Sequence, residues 1–234
     1  MQPLIRVASY NMRKAIGLDR RRDPARTLHV LCELDADVIA LQEADKRFGV
    51  RASAMPPLMI EDRSDYHPVP LDMRPHSIGW HGNAILVRKG IEVRSCAPIE
   101  LPTLEPRGAV MAEIAKDGVA LRVIGMHLDL SGLVRRRQAR AVLAALAAFG
   151  RMPTVMMGDL NEWSLRGGCL KEFGRDHRLV HTGRSFHTRR PMAALDRIFV
   201  SRDLAIVECG VHQSPIASRA SDHLPIWAAL RPVT

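Results

Sequence analysis

Short apolar runs recur along the chain, and most are closed by a single polar residue or a turn former. Residues 4–10 read as a strand, and Asn11 follows them. Residues 26–34 carry apolar positions at helical spacing, with Asp23-Pro24 as the start signal. Residues 38–41 form a short buried strand, with Glu43 just beyond it. Further strands are predicted at 84–87, 110–115 and 119–126, the last closed by His127. A helix is predicted over 133–149, with Gly150 as its stop. A strand at 154–157 runs into Gly158-Asp159, and runs at 198–200, 205–209 and 226–230 complete the set. Many strands and few helices predict an α+β protein with helix-covered sheets.

The polar residues at the ends of these runs follow one rule. Asn11, Glu43, His127 and Asp159 come just after an apolar strand, whereas Asp196 and the pair Asp222-His223 come just before one. In a mixed or antiparallel sheet, strand ends and strand starts meet at the same edge. The six positions are therefore expected to gather on one rim, where loops on a rigid scaffold carry chemistry.

Composition narrows the class. The 234 residues are 47% apolar, enough for a well-buried core, and no linker or repeat divides them, so one domain spanning 1–234 is expected. Arg6 interrupts the first apolar run, which argues against a signal peptide, and no run approaches the ~18 apolar residues of a membrane span. Cys32, Cys96, Cys169 and Cys209 are widely spaced, the pattern of reduced core cysteines in a cytoplasmic protein. The net charge of +9 favours anionic partners, nucleic acid among them. Only 5 of the 34 basic residues are lysine, however, so part of that charge reflects an arginine-rich composition. Aromatic residues are 4% of the chain, which gives little support to a base-stacking platform.

Phosphodiester hydrolysis needs charge neutralisation on the phosphoryl oxygens, a positioned water and help for the leaving oxygen. The six positions, together with Asn161, offer carboxylates, amides and histidines of the right kinds. They lack the His/Cys clustering of a zinc site, and the chain has neither a Walker-type loop nor a Gly-x-Ser-x-Gly elbow. Seven segments then come into view in order: Ser9-Tyr10-Asn11, Leu41-Gln42-Glu43, Gly82-Asn83-Ala84, Met126-His127-Leu128-Asp129, Gly158-Asp159-Leu160-Asn161, Leu195-Asp196-Arg197-Ile198 and Ser221-Asp222-His223-Leu224-Pro225. In these segments the chain resembles the endonuclease/exonuclease/phosphatase superfamily, from residue 4 to 230, and above all its short bacterial metal-dependent hydrolases.

That resemblance implies a DNase I-like α+β fold, a four-layer αββα sandwich with the site at one edge of the two sheets. It implies Mg²⁺ or Mn²⁺ as cofactor, with Glu43 as principal ligand, Asn11 supporting the metal or phosphate, and Asp222 a metal-side carboxylate. Asp159 would orient or deprotonate the attacking water, and Asn161 would hold the phosphate. His223 would contact the phosphoryl oxygen, oriented by Asp196, and His127 would stand near the leaving group. Asn83 and Arg107 are weaker candidates for phosphate contact; Asn83 could position its strand instead, and Arg107 reads equally as a solvated arginine. Arg135, Arg136 and Arg137 could meet an anionic substrate, but read first as a solvated helix face. Members that cleave at abasic sites usually carry an aspartate where this chain has Arg13 and a tyrosine where it has His127, which counts against that activity. The expected function is metal-dependent hydrolysis of a phosphodiester, in nucleic acid or in a phospholipid or small ester. The alternative is a catalytically silent phosphate-binding scaffold of the same fold.

Overall fold

The computed structural model describes residues 3–46, 52–71, 73, 75–103 and 107–233. In chain order the elements are β1 (Ile5–Asn11), α1 (Pro24–Leu34), β2 (Val38–Gln42), α2 (Pro57–Arg63), β3 (Tyr66–Pro68), β4 (Ala84–Arg88), β5 (Glu92–Ile99), β6 (Gly108–Lys116), β7 (Val119–His127), α3 (Gly132–Ala148), β8 (Thr154–Asp159), α4 (Cys169–Phe173), β9 (Arg178–Val180), β10 (Asp196–Val200), β11 (Leu204–Val211), α5 (Ala217–Ala220) and β12 (Ile226–Pro232). They form two mixed six-stranded sheets, ordered β11-β12-β1-β2-β4-β3 and β5-β6-β7-β8-β10-β9. Each sheet has one parallel pair near its middle, β1 with β2 and β7 with β8, flanked by antiparallel pairs.

Strand alternation sorts side chains into three cores. Val38 and Ala40 of β2 face inward, where Val7, Ile85, Val123, Val155, Met157 and Ile198 of both sheets meet. Ile39 and Leu41, one residue out of phase, pack under Leu28 and Leu31 of α1. On the far side Ile124, Met126, Met156 and Phe199 pack against Ala139 and Val142 of α3 and Leu170 and Phe173 of α4. The layers therefore run α, β, β, α, as the sequence resemblance implies. The sheets approach closely at Gly125, where an added Cβ would lie 3.0 Å from the Cβ of Ala40. Helix α1 begins as the sequence predicts, with Asp23 accepting from the Arg26 N–H at 3.0 Å and Pro24 in the first turn.

Two expectations need correction. Arg135 is not on a solvated face: it is buried, donates to the carbonyls of Asp129 (3.2 Å) and Leu130 (2.6 Å), and pairs with Glu162 at 3.3 Å. Arg136 and Arg137 are exposed, as expected, and Arg136 pairs with Glu172 at 3.6 Å. All four cysteines are free, but only Cys169 is buried; Cys32 is exposed, and Cys96 and Cys209 are half-buried on edge strands. Among the described residues no helix is long and apolar enough to cross a membrane.

Candidate active site

The polar residues at the strand ends stay in register with the inward-facing apolar ones. In β8, Val155 and Met157 face the inter-sheet core and Asp159 comes next in that phase. In β7 the same phase runs Leu121, Val123, Gly125 and His127, and in β10 it runs back from Val200 and Ile198 to Asp196. Asp159 is paired directly with His127 on one side and with Asp196 on the other, so the three form one row across adjacent strands. In the opposite sheet Asn11 continues from Val7, pairs with Gln42, and reaches Asp159. The site is thus the polar end of the core between the two sheets. Gly158 lets this row form, because an added Cβ would lie 1.8 Å from the Met126 carbonyl oxygen.

Asp159 is the hub. Its Oδ1 accepts the Asn161 backbone N–H at 2.9 Å. Its Oδ2 accepts Asn11 Nδ2 at 2.9 Å and lies 3.3 Å from His127 Nε2 and 3.7 Å from His223 Nε2. Burial opposes the charge, but the two histidines and the backbone amide outweigh it, and the carboxyl is held well below its ordinary range. His223 donates from Nδ1 to Asp196 Oδ2 at 2.8 Å. Burial disfavours the charged ring, yet Asp196 and Asp159 raise its pKa from 6.5 to about 10. Asp196 is itself fully buried and receives the Ser185 hydroxyl. The ring of Phe186 covers His223 at 4.8 Å between centroids.

Glu43 lies one residue beyond β2, with φ at +53°, a left-handed turn that departs from strand alternation. It is ion-paired with Lys14, in the turn after Asn11. Burial raises its pKa, but His127, Lys14 and Arg107 lower it further, so the carboxylate stays charged. Arg107 Nη1 lies 2.8 Å from His127 Nδ1. The same Nη1 also contacts Nε2, so the guanidinium lies along the edge of the imidazole that carries both nitrogens. Asp222 is partly exposed and lies 3.4 Å from Arg13 Nε. The ionised Glu43 and the Asp222 carboxylate are hard oxygen donors, of the kind a divalent cation takes and a thiolate-seeking metal does not. Ligand atoms of Asp159, Asp196 and His223 also lie within 4.8 Å of one another, but His223 Nδ1 is already committed to Asp196.

The structure links Asn11, Glu43, Arg107, His127, Asp159, Asp196 and His223 in one network of contacts and charges, with Asp222 at its margin. Asn83 behaves differently: it is fully buried and donates from Nδ2 to the Gly108 carbonyl at 3.0 Å, across from one sheet to the other. Gly108 is paired with His127, so Asn83 braces the strand beside the site. The carboxamides of Asn11 and Asn161 are also in use. Asn11 Oδ1 accepts the Arg13 N–H at 3.1 Å, and Asn161 Nδ2 donates to the Leu128 carbonyl at 2.9 Å. Lys14, Ser185 and Phe186 escaped the sequence reading. Ser185 and Phe186 follow no strand pattern, and only Lys14's place three residues after Asn11 hinted at the site.

The family model described as Endonuclease/Exonuclease/phosphatase family matches residues 8–223. The uncharacterized protein YbhP of Escherichia coli strain K12 is 28% identical over 242 residues, covering 91% of this chain and 88% of that one. An endonuclease/exonuclease/phosphatase from Bacteroides vulgatus superposes with a TM-score of 0.73 at 16% identity, covering 99% of this chain and 100% of that chain. The human Nocturnin catalytic domain, solved with a bound sulfate anion, gives 0.73 at 19% identity, covering 99% and 94%. The D. rerio TDP2 structure, complexed with a single strand DNA product, gives 0.72 at 18% identity, covering 97% and 99%. With the family model spanning most of the chain and these structures sharing its two-sheet sandwich, the chain belongs to the endonuclease/exonuclease/phosphatase family, whose enzymes hydrolyse phosphoester bonds and typically use divalent metals.

Proposed function

We propose that the chain is a divalent-metal-dependent phosphodiesterase that acts on nucleic acid or on a phospholipid or other small phosphodiester. The observation that carries this reading is the link, through His127, between an ionised Glu43 beyond one sheet and the Asp159–His223–Asp196 network of the other. We read residues 1–234 as one domain, and the four free cysteines support a cytoplasmic setting.

Glu43, with support from Asn11 and Asp222, would hold Mg²⁺ or Mn²⁺. When bound, the ion would neutralise charge on the phosphoryl oxygens. His223, protonated across the neutral range, would donate from Nε2 to a phosphoryl oxygen, with Asp196 fixing its ring. Asp159, held strongly acidic, is a poor proton acceptor and would orient the attacking water. Asn11 holds that carboxylate from the opposite sheet. His127 and Arg107 together would face the leaving oxygen or a non-bridging one. Asn161 would steady the Asp159 loop and could offer its amide to the phosphate.

Purified protein stripped with EDTA should not cleave bis-p-nitrophenyl phosphate, and Mg²⁺ or Mn²⁺ should restore turnover. Full turnover in excess EDTA, with no metal found by elemental analysis, overturns the metal dependence. Phosphate binding without turnover of any diester, whatever the metal, makes the chain a silent scaffold instead.

A further inference from the structure

Among the described residues ten large hydrophobic side chains are exposed, and five of them border the candidate site. Leu130 and Leu133 follow β7, Trp163 and Leu165 follow β8, and Met192 precedes β10; each is 64% to 73% exposed. The three segments are joined to one another. Arg135 bonds the Leu130 carbonyl and pairs with Glu162, the neighbour of Trp163. Trp163 meets Phe186 edge to face at 6.1 Å, and Met192 N–H donates to the Phe186 carbonyl at 2.8 Å. Phe186 in turn lies on His223, so the apolar rim begins one ring away from that histidine.

The same segments are basic. Residues 128–137, 160–168 and 184–193 hold seven arginines and two carboxylates, and both carboxylates, Asp129 and Glu162, are buried. Arg137, Arg166, Arg189 and Arg190 are exposed. Large apolar side chains standing in water mark an interaction surface. Carried on segments with exposed arginines and no exposed acid, they fit an anionic bilayer: leucines enter the acyl boundary while guanidiniums stay at the headgroups. Nucleic acid would use the arginines and Trp163, but four aliphatic side chains give a base nothing to stack on.

We propose that this rim docks on an anionic phospholipid surface and opens the candidate site onto lipid headgroups. Docking stands on the rim's geometry and charge; the further step, that the bond cut belongs to a headgroup, rests on the function proposed above. The test is cosedimentation in EDTA, where turnover plays no part, with vesicles of phosphatidylcholine alone or mixed with phosphatidylglycerol. The wild type should partition onto the anionic vesicles at least ~10-fold more strongly than onto the neutral ones. The Leu133→Ser/Leu165→Ser variant should lose ~10-fold or more of that partition. Its circular dichroism and its rate on soluble bis-p-nitrophenyl phosphate should match the wild type. The proposal is overturned if the wild type stays in the supernatant with both vesicles, or if the leucine variant binds undiminished. It is equally overturned if the substitutions instead weaken single-stranded DNA binding or disperse a dimer. Vesicle binding without diester hydrolysis would sink the enzyme reading alone, and hydrolysis without vesicle binding would sink the docking alone.

Discussion

Replacing Asp196 by asparagine should move the alkaline limb of kcat/KM, because Asp196 is the principal charge that keeps His223 protonated. The pair is buried, with Nδ1 to Oδ2 at 2.8 Å and Asp159 farther off, at 3.7 Å from the other nitrogen. Opposite charges about 4 Å apart, centre to centre, interact by about 4 kcal/mol at an effective dielectric near 20, or about 3 pH units. That agrees with the rise from 6.5 to about 10 against the opposing effect of burial. The protonated ring is the donor, so activity persists below its pKa and falls as pH rises through it, near pH 10 in the wild type. In Asp196→Asn the limb should fall by about 2–3 units, with Asp159 supplying the remaining elevation. The assay is kcat/KM for bis-p-nitrophenyl phosphate in Mg²⁺ across the neutral to alkaline range, with the double variant Asp196→Asn/His223→Ala alongside. The double variant should be little worse than His223→Ala, since residues acting as a unit are non-additive. An unmoved limb, or losses that multiply in the double variant, would refute the pairing.

Asp159→Asn should lower kcat by ~10²–10³-fold, the scale of one preorganised electrostatic contact, while far-UV circular dichroism stays native; a rate within a few-fold of wild type removes Asp159 from water positioning. Its new NH₂ group would face the donors Asn11, His127 and His223, so the melting temperature should drop, and an unchanged one would contradict the hydrogen-bond hub. Lys14→Met should tighten Mn²⁺ binding several-fold by calorimetry, because the ammonium competes with the cation for Glu43; weaker binding would mean that Lys14 supports the site some other way. Asn83→Ala should cost about 1–3 kcal/mol in urea unfolding by leaving the buried Gly108 carbonyl without its partner, and should reduce turnover through the displaced His127 strand; full activity at full stability would deny the brace.

Much of this arrangement is local and therefore written in the chain. The two-residue period of a strand ties each polar end residue to the face of the apolar residues before it, so Val155, Met157 and Asp159 must point one way. The start of α1 is equally local, since Asp23 caps an amide only three residues on. The strands that escaped the pattern are those with no apolar run to show. Strand β5 is an exposed edge carrying Glu92, Arg94 and Ser95, and β3 and β9 are three residues long. What no local pattern holds is the choice of partners. His127, Asp159 and Asp196 become neighbours only because β7, β8 and β10 lie side by side, and Asn11 reaches Asp159 only because the two sheets face each other. Arg135 looked solvated because the carboxylate it pairs with, Glu162, lies on another segment of the fold, and a guanidinium is buried only where such an acceptor awaits it. The protonated state of His223 is decided in the same way. A lone histidine carries no such bias, and two carboxylates from distant strands supply it once folding has removed the water that would otherwise screen them.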